Sequence, residues 1–180
     1  NGAGKSTLIN TITGELIPTT GSIKIYGREV RGLSKDKISR LGIGHVYQTT
    51  NIFPSLTVFE NCVLAAQSQL SHRVNIFREA ETYTLPGQVA RESIKKVQLV
   101  DKMSTKADLL SHGDQKKTEI AMVLSSKPKL LLLDEPLAGM SGAESKTILD
   151  LINHLKESNS ILVVEHDVNA ILAIAQKVSV

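Results

Sequence analysis

Apolar positions along this chain repeat with two different periods. Leu8, Ile9 and Ile12 fall at helical spacing, and Gly14 follows where such a helix would stop. Ile148, Ile152 and Leu155 recur at i, i+4, i+7, and Val168, Ile171, Leu172 and Ala175 at i, i+3, i+4, i+7. Each set predicts an amphipathic helix. Between them lie short runs of strand character. Residues 22–26 form a β-rich run between Gly21 and Gly27, and residues 43–47 form a second. Residues 130–133 are four consecutive leucines, the pattern of a strand buried on both faces of a parallel sheet. Residues 160–164 give another strand, and residues 178–180 begin one more. The alternation predicts an α/β fold with a mostly parallel sheet.

The middle of the chain has a different rhythm. Thr57-Val58-Phe59-Glu60 reads as a capping box, with Thr57 as N-cap and Glu60 three residues on, launching a helix through residue 67. Residues 68–88 are polar and interrupted by Pro86-Gly87, so they predict a loop or a short broken helix. Ala90, Ile94 and Val97 then mark another helix. Residues 49–126 are therefore expected to form a helical subdomain inserted into an α/β core made of residues 1–48 and 127–180.

Composition narrows the function classes. The chain has 180 residues, 41% hydrophobic and 22% charged, which suits one soluble globular domain with an insertion. A net charge of +3, three Phe, three Tyr and no Trp leave little for phosphate tracking or base stacking, so no nucleic-acid partner is expected. The pairs Lys95-Lys96 and Lys116-Lys117 read as solvated helix faces. No apolar run approaches the roughly 18 residues of a membrane span. The single Cys62 rules out an internal disulfide and reads as core.

The chain opens with Asn1-Gly2-Ala3-Gly4-Lys5-Ser6-Thr7, the later part of the phosphate-loop pattern G-x-x-x-x-G-K-S/T. Such a loop needs glycine because successive backbone N–H groups must turn inward on one anion. Lys5 supplies a point charge for the β- and γ-phosphates, and the Ser6 hydroxyl can bind Mg²⁺. The following helix directs its positive end to the same place. The first glycine of the pattern and the strand feeding it would precede Asn1, so the sequence is expected to be a fragment, truncated at both ends and inactive alone.

Further candidates stand at strand ends. Leu130-Leu131-Leu132-Leu133-Asp134-Glu135 places two carboxylates at the sheet edge where α/β ligands bind. Asp134 can hold Mg²⁺ opposite Ser6, and Glu135 can act as base toward an attacking water. Gln48 and His166 each follow an apolar strand, where an amide could reach metal and water and an imidazole could reach a γ-phosphate. His45, His72, His112 and His154 show no metal-ligand spacing. Leu110-Ser111-His112-Gly113-Asp114-Gln115 precedes a helix, so Ser111 and Gly113 could form an anion site; a capped helix start explains the same residues equally well.

In this order (Gly4-Lys5-Ser6, Gln48, the Ser111 segment, Asp134-Glu135, His166) the motifs resemble the ATP-binding cassette ATPases of transporters, over nearly the whole chain. The resemblance implies a P-loop NTPase fold, ATP and Mg²⁺ as cofactors, and hydrolysis of ATP. It implies that Asn1 to Thr7 cradle the nucleotide, that Ser6, Gln48 and Asp134 attend Mg²⁺, and that Glu135 is the base and His166 the switch histidine. Ser111 and Gly113 would reach the γ-phosphate bound to a second subunit, so a homo- or heterodimer is implied. Transmembrane permease subunits and, through them, a periplasmic or extracellular solute-binding protein complete the expected partners, with the chain peripheral on the cytoplasmic face. Three features depart from the family pattern. L-S-G-G-Q is replaced by Leu110-Ser111-His112-Gly113-Asp114, the dimer-contact loop Ala138-Gly139-Met140-Ser141 ends in Ser instead of Asp, and the adenine-stacking aromatic lies outside the sequence. Together with Asp134-Glu135-Pro136-Leu137 and Thr57-Val58-Phe59-Glu60-Asn61, these segments resemble the importers of branched-chain amino acids and of urea or short amides. The alternatives are a soluble cassette of DNA repair or translation and a non-catalytic partner cassette. A P-loop kinase or GTPase is disfavoured by Asp134-Glu135 and by the lack of an N-K-x-D motif.

Overall fold

The computed structural model describes residues 4–68 and 84–178. Its centre is a parallel sheet of three strands, β3 (Ile43–Val46), β4 (Leu130–Asp134) and β5 (Ser160–Val164), in the order β3-β4-β5. Leu131 lies opposite Gly44 on one side and Ile161 on the other, and Asp134 lies opposite Val164. The leucine run is central because both its faces are covered. Leu131 and Leu133 join the larger apolar cluster, with Val58, Cys62, Ile94, Ile120 and Ile148, while Leu132 joins a second cluster with Val30, Ile38 and Ile43. Each such leucine contributes about 1.5–3 kcal/mol by leaving water.

Helices supply the covers. α1 (Lys5–Ile12) contacts β4, and α2 (Lys35–Arg40) contacts β3. α3 (Val58–Gln67), α4 (Thr84–Lys96) and α5 (His112–Ser125) pack on one another, and α5 also lies against β3. That approach is close because β3 carries Gly44, where a Cβ would stand 2.3 Å from Val123 Cγ1. α6 (Gly142–Leu155) packs on α5 and on α7 (Val168–Ile174). Among the described residues, no helix is long and apolar enough to cross a membrane.

Several expectations are met and three are corrected. The capping box of Thr57 and Glu60 is present in both directions, and Cys62 is buried, with burial raising its thiol pKa to about 12. The run at residues 22–26, however, does not enter the parallel sheet. It supplies β1 (Lys24–Ile25), which pairs antiparallel with β2 (Arg28–Glu29) in a separate hairpin. Tyr26 and Gly27 at its turn have φ of 50° and 77°, the left-handed pair a two-residue turn requires. Secondly, Pro86-Gly87 does not break a helix: α4 begins at Thr84, and a proline in the first turn removes an N–H that had no partner there anyway. Thirdly, Lys116 is buried (1% exposed) instead of solvated. Asn1, Gly2, Ala3, His72 and the end of the run at 178–180 lie outside the described residues.

Candidate functional site

Parallel strands all present their C-terminal ends to one edge, and the chemistry-bearing residues gather there. Gln48 follows β3, Asp134 ends β4, Glu135 follows it, and Glu165 and His166 follow β5. Glu135 sits at φ 44°, a left-handed conformation that costs a non-glycine residue energy and turns the chain sharply at the strand end. Its N–H still donates to the Val164 carbonyl at 2.8 Å, so the sheet holds the turn.

Side chains then converge on Glu135. Gln48 Nε2 donates to Glu135 Oε2 at 3.1 Å, and His166 Nδ1 stands 3.7 Å from the same oxygen. His166 remains 64% exposed, free to meet a ligand. Glu165 is a residue that the motif reading passed over. Its side chain is 2% exposed, its Oε1 accepts the Leu137 N–H at 3.0 Å, and its Oε2 accepts the His166 N–H at 3.1 Å. It thereby ties the loop after β4 to the loop after β5. The signal was a carboxylate ending an apolar strand, the same one that singled out Asp134.

Three carboxylates at one edge raise a charge problem. The Asp134 carboxyl is pushed above the usual carboxylate range, first by burial and then by the charges of Glu135 and Glu165, while Lys116 opposes the rise. A hard divalent cation with oxygen donors would relieve that repulsion. The Ser6 hydroxyl, the Asp134 carboxylate and the amide oxygen of Gln48, whose Nε2 is already engaged with Glu135, are donors of the kind Mg²⁺ takes, so the residues present fit it. Lys5, Ser6 and Thr7 open α1, with Gly4 as its N-cap at φ 78° and no acidic residue in the first turn.

The Ser111 segment forms a separate hydrogen-bonded group. Ser111 caps α5 by accepting the Asp114 N–H at 3.3 Å. The Gly113 N–H donates to Glu144 Oε1 at 3.1 Å, and Glu144 Oε2 accepts from the Ser141 N–H at 3.1 Å and the Ser141 hydroxyl at 2.8 Å. These hydrogen bonds, those of Ser141 first, hold the Glu144 carboxyl below the usual range. Two departures from the family pattern thus have structural uses. Ser141 caps α6, and Asp114 pairs with Lys102, with Lys117 Nζ 4.0 Å away.

Lys116 and Glu119 are the other residues the sequence reading missed. They form a buried pair, 2.9 Å apart, that grips the backbone around Gln48. The signal was spacing: Lys116 precedes Ile120 by four residues and Leu124 by eight, which puts it on the buried stripe of α5.

Comparison with known proteins agrees with this geometry. The family model described as "ABC transporter" matches residues 1–138. The branched-chain amino acid transport ATP-binding protein LivG of Salmonella typhimurium is 33% identical over all of this chain and 73% of its own length. BraF of Pseudomonas aeruginosa, with the same description, is 31% identical over the same shares. Among solved structures, the ADP conformation of MJ1267, an ATP-binding cassette of an ABC transporter, superposes with a TM-score of 0.80 at 29% identity, over 97% of this chain and 70% of that one. The dimeric post-hydrolysis cassette MJ0796, bound to ADP and Pi, gives 0.71 at 28% identity, over 93% and 72%. The α/β P-loop fold, the strand-end residues and these likenesses converge: the chain belongs to the ABC transporter family, as an ATP-binding, ATP-hydrolysing cassette.

Proposed function

We propose that this cassette hydrolyses ATP at the edge formed by Gly4 to Thr7, Gln48, Asp134, Glu135 and His166, and so powers solute import. The observation that carries the reading is the hydrogen bond from Gln48 to Glu135 with His166 beside it. Lys5 and the amides opening α1 bind the phosphates. Ser6, Asp134 and Gln48 would hold Mg²⁺, which when bound neutralises charge on the β- and γ-oxygens. Glu135 takes a proton from the water that attacks the γ-phosphorus, the bond to the bridging oxygen breaks, and ADP and phosphate leave. Gln48 fixes the orientation of that carboxylate, and the exposed His166 imidazole contacts the γ-phosphate.

Ser111 and the amides at the start of α5 serve the nucleotide held by a second cassette, so the working unit is a homo- or heterodimer. MJ0796, a dimer in the post-hydrolysis state, supports that arrangement. The likeness to LivG and BraF supports branched-chain amino acids as the solute, ahead of urea or short amides. In that role the chain sits peripherally on the cytoplasmic face, against transmembrane permeases served by a periplasmic or extracellular solute-binding protein. The test is Glu135→Gln in the full-length protein. Steady-state turnover is expected to fall by about 10²–10⁴-fold, the usual cost of a lost general base, with ATP affinity retained. Undiminished turnover would remove Glu135 from the reaction.

A further inference from the structure

Lys116 and Glu119 are buried, charged and absent from the reaction as described. Their side chains are 1% and 3% exposed, with Nζ 2.9 Å from Oε2. The attraction inside a buried pair does not reliably exceed the cost of taking both charges out of water. Stability is therefore a weak reason for the pair, and its other contacts show a better one. Lys116 Nζ donates to the carbonyl of Tyr47 at 2.8 Å and reaches that of Gln48 at 3.5 Å. Glu119 Oε1 accepts the N–H groups of Tyr47 and Asn51, each at 3.2 Å. The two side chains therefore grip the backbone before, at and after Gln48. From that clamped backbone Gln48 extends its amide 3.1 Å from Glu135 Oε2.

We infer that Lys116 and Glu119 are positioning residues for ATP hydrolysis, acting through Gln48 to orient the Glu135 carboxylate. The inference rests on the assignment of Gln48 and Glu135 to the reaction. Nucleotide binding depends on a different element, the loop and α1 with Lys5 and Ser6. Loosening the clamp therefore slows turnover and leaves binding alone.

The experiment uses the full-length protein and reads kcat, KM, equilibrium binding of a fluorescent ATP analogue and the thermal midpoint. Lys116→Met with Glu119→Leu replaces the pair by apolar side chains of similar size, so neither charge is stranded. This variant is expected to lose about tenfold or more in kcat while the analogue's Kd stays within about threefold. Gln48→Ala added to this variant costs less in kcat than Gln48→Ala costs the parent protein, because residues acting in series are not additive. Lys116→Arg, which keeps charge and donors, restores most of the rate. If the apolar pair does not fold, Glu119→Gln takes its place, since it keeps an acceptor but leaves Lys116 without a counter-charge, and a drop in kcat at unchanged Kd is again expected. Full kcat in whichever of these folds, or a Gln48→Ala loss as large in the clamp variant as in the parent protein, overturns the inference. A parallel fall in affinity and kcat does so too, as the mark of general damage. Gln48→Ala alone separates the two levels: full turnover there removes the underlying assignment, whereas slow turnover there beside a normal clamp variant removes only the clamp.

Discussion

Four helix starts in this molecule are built in two ways. In α3, α5 and α6 the N-cap is Thr57, Ser111 or Ser141, and the third helical residue is Glu60, Asp114 or Glu144. The three N-cap side chains, and with them Glu60 and Glu144, take up amides that the helix itself cannot pair, while Asp114 turns to Lys102. α1 has Thr7 in the third position, no side-chain cap and no acid in its first turn. The difference teaches what each end is for. A cap adds about 1 kcal/mol, and α3 and α6 accept it to fix the frame, while α5 combines its Ser111 cap with the role proposed for it toward a second cassette. α1 forgoes a cap, which suits the anion-binding role proposed for its start.

Making α1 resemble the others should break the comparison most severely. Thr7→Glu places a carboxylate at the helix position where Glu60 and Glu144 stand. A like charge some 4 Å from a phosphate costs about 4 kcal/mol at an effective dielectric near 20, roughly a thousandfold in ATP affinity. Equilibrium binding should show that loss while the thermal midpoint holds or rises, and unchanged affinity would mean that α1 does not receive the nucleotide. The reverse change is smaller. Thr57→Ala uncaps α3 at about 1 kcal/mol, a fall in Tm of about 2–4 °C for a chain of this size, with ATP affinity untouched. An equal loss of affinity in a binding titration would contradict the division of labour.

The smallest effect is with pH. Hydrogen bonds to Thr57 lower the Glu60 carboxyl and those to Ser141 lower Glu144. A carboxyl lowered on folding adds stability that is fully present above its unfolded value, near 4.5, and is lost as pH falls through the folded value. Denaturant midpoints should therefore hold above about pH 5 and decline below about pH 4.5. Replacing both residues with Gln should flatten the decline, and an unchanged slope would dissociate the caps from acid sensitivity.

Strands announce themselves in the sequence where apolar residues run unbroken. The leucine run reads to within a residue because its centre is buried on both faces, and residues 160–164 read equally well although Ile161, Leu162 and Val163 are only half-buried, because four apolar residues follow one another there. The hairpin of β1 and β2 was misplaced because its two-residue strands are mostly exposed, so no periodicity marks which sheet they join. Gln48, Asp134, Glu135 and His166 were legible as polar residues at the ends of apolar strands. Lys116 and Glu119 were not, since their meaning lies in backbone about 70 residues away. A charged pair three residues apart looks the same in sequence whether it faces water or another part of the chain.

Glu144 carries a lesson for anyone who aligns or redesigns such chains. It accepts from Gly113, 31 residues earlier, and from Ser141 on its own helix, so three donors share one carboxylate. A Cβ at residue 113 would meet Glu144 Cγ at 3.2 Å, so the small residue and the acid fit as a matched set. Positions 113, 141 and 144 are therefore one physical unit, and a change in any of them reads correctly only beside the other two.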